Sequence, residues 1–118
     1  WDYSLPPDGG KFEFGISGSQ NLDCMGGAFS VTPTMSGSGN IQTTELEREW
    51  GTPAVCARVE VNKYFESNPS GSDVPMAGGA TCPPGVVCTR VEAKGYNTAC
   101  GSINSSTRVV ERALRVGY

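Results

Sequence analysis

The side chains best suited to chemistry in this sequence are five cysteines, Cys24, Cys56, Cys82, Cys88 and Cys100, in a chain with no histidine. Zinc sites draw on cysteine and histidine at short spacings, and no C-x-x-C pair occurs, so metal ligation is the weaker reading. Disulfide formation in an oxidising compartment is the stronger one. The stretch CPPGVVC, from Cys82 to Cys88, closes a short loop over a Pro-Pro-Gly turn and is the favoured bridge. Chain entropy assigns such a loop about 2 kcal/mol, and a longer bridge such as Cys24 to Cys56 about 4 kcal/mol. Sequence does not choose among the remaining pairings. The odd cysteine is read as a buried free thiol, a thiol that pairs with a partner, or one whose mate was lost to truncation.

Other catalytic chemistry finds little support. Without histidine, Ser-His-Asp and Cys-His arrangements are impossible. Lysine can act as a base, but Lys11, Lys63 and Lys94 sit on the polar parity of a strand or just beyond one, where a solvated charge is the ordinary state. Glu45, Glu47 and Glu49 could supply paired carboxylates for glycoside chemistry, yet they lie among Thr and Arg and read as an exposed face. No phosphate-binding glycine motif occurs, and Ser36-Gly37-Ser38-Gly39 has the composition of a flexible linker. Asp8-Gly9 and Asp73 lack the spaced ligands of a calcium loop. Asn104-Ser105-Ser106 fits the N-glycosylation sequon, which is short enough to recur by chance. Trp1 and Tyr3 beside Pro6-Pro7 are read as packing the terminus in preference to forming a binding platform. The sequence therefore names no catalytic residue, no cofactor-binding residue and no metal ligand, and the expectation is a protein that is not an enzyme and carries no cofactor.

A length of 118 residues suits a single domain, 1–118. Sixteen glycines and eight prolines, against few aromatic side chains, imply many turns and a thin core. The net charge is −3, with nine Lys and Arg scattered among carboxylates, so no basic face is available and nucleic acid is not an expected partner. The opening on Trp1 reads as a processed or trimmed product, and no apolar run is long enough to span a bilayer.

The elements that must hold the cysteines in place read mainly as strands. KFEFGIS alternates Phe12, Phe14 and Ile16 with polar residues, and AFSVT places Phe29 and Val31 on one face before Pro33. TMSGSGN reads as a loop. IQTTELEREW permits a helix, with Thr44 and Glu47 as a capping box, but the strand is preferred because the flanking chain is extended in pattern. AVCARVEVNKY is the clearest strand, with Val55, Ala57, Val59 and Val61 on one side and Cys56, Arg58, Glu60 and Asn62 on the other. Residues 66–85 form a Gly/Pro-rich surface excursion pinned near its end by Cys82. VVCTRVEAKGY turns Val87, Thr89, Val91 and Ala93 inward and Arg90, Glu92 and Lys94 outward. In TRVVERALRV, Val109, Val110, Ala113 and Leu114 permit a helical stripe and Val110, Leu114 and Val116 a strand; the strand is preferred because its length and charge pattern match VVCTRVEAKGY, with which it makes a terminal hairpin. The expected fold class is mainly β, an antiparallel sheet with disulfide-stapled loops.

The terminal stretch CTRVEAKGYNTACGSINSSTRVVERALRVGY resembles the C-terminal end of bacterial type IV pilus minor pilins, especially the PilX-like pilus-assembly proteins. LPPDGGKFEFGIS resembles the opening of the same headpieces. The likeness is strongest over residues 88–118 and extends to 5–17. It implies a cleaved N-terminal hydrophobic helix, absent from this sequence, which would make the whole protein α+β and give its membrane attachment before assembly. It implies disulfide-stapled loops near the C-terminal end, which residues 82–100 would supply. It also implies other pilin subunits as partners, with a host or surface ligand as a further one, and a location at the cell surface in a pilus. The alternative is a secreted, disulfide-stabilised binding module of toxin, effector or lectin-like type.

Overall fold

Alternating branched and polar residues fit a pleated surface, and they set the architecture here. The computed structural model describes residues 14–15, 17–24, 27–104 and 111–117. A hairpin of β1 (Gln20–Cys24) and β2 (Gly27–Val31) precedes the main sheet. That sheet contains β3 (Thr34–Ser36), β4 (Ile41–Trp50), β5 (Val55–Tyr64), β8 (Cys88–Tyr96) and β9 (Glu111–Gly117), antiparallel throughout and in that spatial order. Between β5 and β8 a two-stranded flap forms from β6 (Val74–Pro75) and β7 (Thr81–Cys82). The fold is mainly β, with antiparallel sheets and disulfide-stapled loops.

The β4–β5 hairpin is the longest pairing, running from Ile41 opposite Tyr64 to Trp50 opposite Val55. Its turn begins at Gly51, whose φ of +87° is costly for any residue with a Cβ. IQTTELEREW is therefore strand along its whole length, and the helical alternative is not adopted. Tertiary pairing on both sides of β4 outweighs its local capping signal.

Register places the two disulfides at opposite ends of the β5–β8 pair. Cys56 lies opposite Tyr96, and Tyr64 lies opposite Cys88. At the first end Cys56 is bonded to Cys100, just beyond β8, where Tyr96 and Ile103 complete a buried cluster. At the other end Cys82 is bonded to Cys88, and Tyr64, Val74 and Cys82 are buried with Ile41 and Met76 against them. The opposite face of the sheet has its own small cluster, in which Val31 of β2 packs on Leu46 and Val59. Among the described residues the thin core thus takes the form of three separate clusters.

Three sequence expectations change, and one open question closes. KFEFGIS is not a strand where it is described: Phe14 and Gly15 form a turn, with Gly15 at a φ of +87°, and residues 11–13 and 16 lie outside the described residues. Phe14 instead packs on Phe65 with ring centroids 5.3 Å apart, and the Gly15 N–H donates to the buried Gln42 Oε1 at 2.6 Å. TMSGSGN is only partly a loop, because Thr34–Ser36 pair with β4 before the chain turns through a short 3₁₀ segment. The pairing that the sequence left open is Cys56 with Cys100, since the β5–β8 register brings the end of β8 beside Cys56. Cys24 ends β1, and the pairing of its thiol lies outside the description. Finally, Val87 precedes β8 and is exposed, so it takes no part in an inward face.

The excursion is more structured than its composition suggests. Val74 and Cys82 are buried against Tyr64, and Gly85 N–H donates to Glu66 O at 2.8 Å to close the base of the flap. Thr81 Oγ1 donates to Asp73 Oδ2 at 3.1 Å alongside it. One buried valine and one bridge are enough to seat a segment otherwise made of Gly, Pro and small polar residues.

Candidate functional site

Between the two cysteine–tyrosine rows, β5 and β8 share three rows of polar pairs: Arg58 opposite Lys94, Glu60 opposite Glu92, and Asn62 opposite Arg90. All point to one face of the sheet, because side chains two apart on a strand share a side. Glu45 and Glu47 on β4 and Arg115 on β9 extend the rows outward. Within this face Glu45, Glu47, Arg58, Glu60, Glu92 and Lys94 line a charged trough of about 570 Å3, with Tyr96 at one end. Both disulfides lie on this face, one beyond each end of the trough.

Glu92 is its electrostatic centre. Arg115 Nε donates to Glu92 Oε2 at 2.7 Å, Arg90 Nη2 donates to the same oxygen at 3.0 Å, and Lys94 Nζ lies 3.2 Å from Oε1. The Arg115 hydrogen bond is the largest influence on this carboxyl. Burial opposes it, Lys94 reinforces it, and the net effect holds the pKa at about 2. Glu92 is therefore ionised throughout the neutral range and has no proton to give as a general acid.

The surrounding groups are also engaged. Glu60 faces Glu92 directly, a like-charge pairing that is unfavourable in isolation. Asn62 Nδ2 donates to Glu60, and Thr43 Oγ1 donates to Asn62 Oδ1 at 2.7 Å. Arg58 is paired with Glu47, and its guanidinium carbon stands 5.9 Å from the Tyr96 ring centroid, within cation–π range. Four carboxylates, Glu45, Glu47, Glu60 and Glu92, are thus balanced by four cations, Arg58, Arg90, Lys94 and Arg115. Such a surface presents charges of both signs, with the cations held on Glu92 and Glu47.

Glu47 Oε, Cys56 Sγ and Cys100 Sγ lie within 4.8 Å of one another. The two sulfurs are joined as a disulfide, so they offer no thiolate to a metal. Glu45, Glu47 and Glu49 are exposed, as expected of them, and Glu49 Oε2 accepts the Cys100 N–H at 2.8 Å, fixing the loop that carries the bridge. Lys94 is ion-paired with Glu92. Asn104 is exposed in a turn, while Ser105, Ser106, Lys11, Trp1, Tyr3, Pro6 and Pro7 lie outside the described residues.

Sequence reasoning missed the Glu92 cluster. Its signal was present as charged residues two apart, Arg58 and Glu60 on one strand and Arg90, Glu92 and Lys94 on another, but they meet only when the register is known. The apolar side also differs from expectation. Leu114 and Val116 are 66% and 41% exposed, whereas the Glu92 side chain is only 14% exposed. The face expected to be inward is thus open over β9, while Glu92 on the polar face of β8 is sheltered.

Two disulfides accord with an oxidising extracellular or secreted environment. Among the described residues no helix is long and apolar enough to cross a membrane. Comparison with protein-family models, curated proteins and solved structures finds no match for this chain.

Proposed function

We propose that this domain is the head of a minor-pilin-like structural subunit, which primes pilus assembly or is presented in or at the tip of the fibre for adhesion. It acts at the cell surface through shape and charge, with other pilin subunits as partners and the inner membrane as its station before assembly. The observation that carries the reading is the antiparallel sheet whose apolar side leaves Leu114 and Val116 exposed. A long N-terminal helix of the kind the family resemblance implies would cover such a lane. The lack of histidine and the charge-paired state of Glu92 favour a non-catalytic role.

The test is genetic. The coding sequence upstream of Trp1 is expected to encode a short basic leader, a processing glycine and an apolar helix with an early glutamate, and loss of the gene is expected to lower surface piliation. A conventional signal peptide ending at Trp1, with piliation unchanged, would overturn the proposal. That outcome would favour a secreted, disulfide-stabilised binding module, for which the charged trough between the bridges is the supporting observation.

A further inference from the structure

The four bridged cysteines differ in how far solvent reaches them. Cys82, Cys56 and Cys100 are 0%, 1% and 9% exposed, whereas Cys88 is only half-buried. The chain that leads to Cys88 is open as well, because Val86 and Val87 precede it outside any strand and both are exposed. At the other bridge Tyr96 and Ile103 pack around Cys56 and Cys100, and Glu49 Oε2 holds the Cys100 N–H at 2.8 Å. Exchange requires an attacking thiolate to reach a disulfide sulfur, so access ranks these positions. Cys88 comes first.

Cys82 is placed to persist as a thiol. Its flap is seated by packing as well as by the bridge, since Val74 is buried against Tyr64 and the Ala77 N–H donates to Tyr64 Oη at 3.4 Å. Cys82 Sγ lies 3.5 Å from Tyr64 O and 3.4 Å from Val86 O, two carbonyl acceptors that an S–H can use once the S–S bond is gone. An apolar site disfavours a thiolate, so a sulfur freed there takes up a proton and is inert.

We propose that Cys88 is a thiol-exchange site that takes small dithiols, with Cys82 as its buried partner. A thiolate of the dithiol attacks Cys88 Sγ and breaks the bond to Cys82. This leaves a mixed disulfide on Cys88 and, after proton uptake, a thiol at Cys82. The second sulfur of the dithiol then closes on the first and releases Cys88. The dithiol is oxidised to a cyclic disulfide, the bridge gains two electrons, and the two protons lost by the dithiol end on Cys82 and Cys88. The flap stays seated, and the change is a reactive thiol at the start of β8. The inference is independent of the pilin reading.

The test treats the folded, oxidised 118-residue chain with dithiothreitol for a series of times, alkylates it with iodoacetamide without denaturant, and assigns each label by peptide mapping. The Cys82–Cys88 bridge is expected to open about tenfold faster than Cys56–Cys100, and Cys88 to be labelled about tenfold faster than Cys82. In urea, where burial is lost, the two labelling rates are expected to become equal. Equal or faster opening of Cys56–Cys100 would overturn the inference, as would equal labelling of Cys82 in the folded chain. So would a preference for Cys88 that persists in urea, or resistance of both bridges until the protein unfolds.

Discussion

Arg115 on the last strand places its Nε 2.7 Å from Oε2 of Glu92, its register partner on β8. This contact turns an unfavourable arrangement into a stable one. Glu60 and Glu92 are held opposite each other by the β5–β8 register, and the Arg115 side chain, with Lys94 and Arg90, supplies the opposing charge. The terminal strand is thus fastened both by its ladder and by a charge cluster that spans neighbouring strands.

The carboxyl of Glu92 titrates at about 2 when folded, against an ordinary 4.5. A depressed folded value stabilises the fold above the unfolded pKa, and this contribution is lost as pH falls from about 4.5 to about 2. Glu92→Gln is expected to lower Tm by a few degrees at neutral pH, with the two melting curves converging near the acid end of that window. Calorimetric Tm across a pH series checks this, and the neutral-pH difference is expected to shrink in high salt because Arg115 is largely exposed. Equal Tm values at neutral pH would remove Glu92 from any role in stability.

The two bridges differ in the length of chain they close. Cys82 and Cys88 are six apart in sequence, Cys56 and Cys100 forty-four apart. Removing the short bridge with Cys82→Ser and Cys88→Ser is expected to cost about 2 kcal/mol, and removing the long one with Cys56→Ser and Cys100→Ser about 4 kcal/mol. Urea denaturation midpoints give the ranking. A larger loss from the short bridge would mean that native packing around the flap, not loop closure, sets its value.

Two leucines in the same row, with β5 and β8 between them, test which part of the apolar side is core. Leu46, opposite Val59, is 8% exposed and packs on Val31; Leu114, opposite Ala93, is 66% exposed. Leu46→Ala is expected to destabilise by about 2–3 kcal/mol through lost contact and cavity formation. Leu114→Ala in dilute solution is expected to change stability by less than about 0.5 kcal/mol, as surface substitutions do. Chemical denaturation of both variants distinguishes them.

Much of the sheet was legible in the sequence. The alternations in β5 and β8 identify strands without reference to tertiary structure, β9 needs the hairpin context to decide against a helical stripe, and the Cys82–Cys88 bridge follows from a spacing that brings its ends together. The Cys56–Cys100 bridge was not legible, because it depends on which residues of β5 and β8 face each other. The Glu92 cluster was hidden for the same reason: its cations come from two strands, and charge alternation alone reads as a solvated face. Phe14 and Gly15 misled in the other direction. Phe-x-Phe alternation suggested a strand, but Gly15 takes a left-handed conformation and Phe14 finds its partner in Phe65.

The long bridge has a further effect on covalent connectivity. Because Cys56 and Cys100 are joined, everything between them is a closed ring, with the Cys82–Cys88 ring nested inside it. Residues 67–70 are an exposed run at the start of the flap and lie inside the larger ring but outside the smaller one. A single proteolytic nick there opens the larger ring yet leaves both halves attached through Cys56 and Cys100, so scission of this exposed backbone releases no fragment.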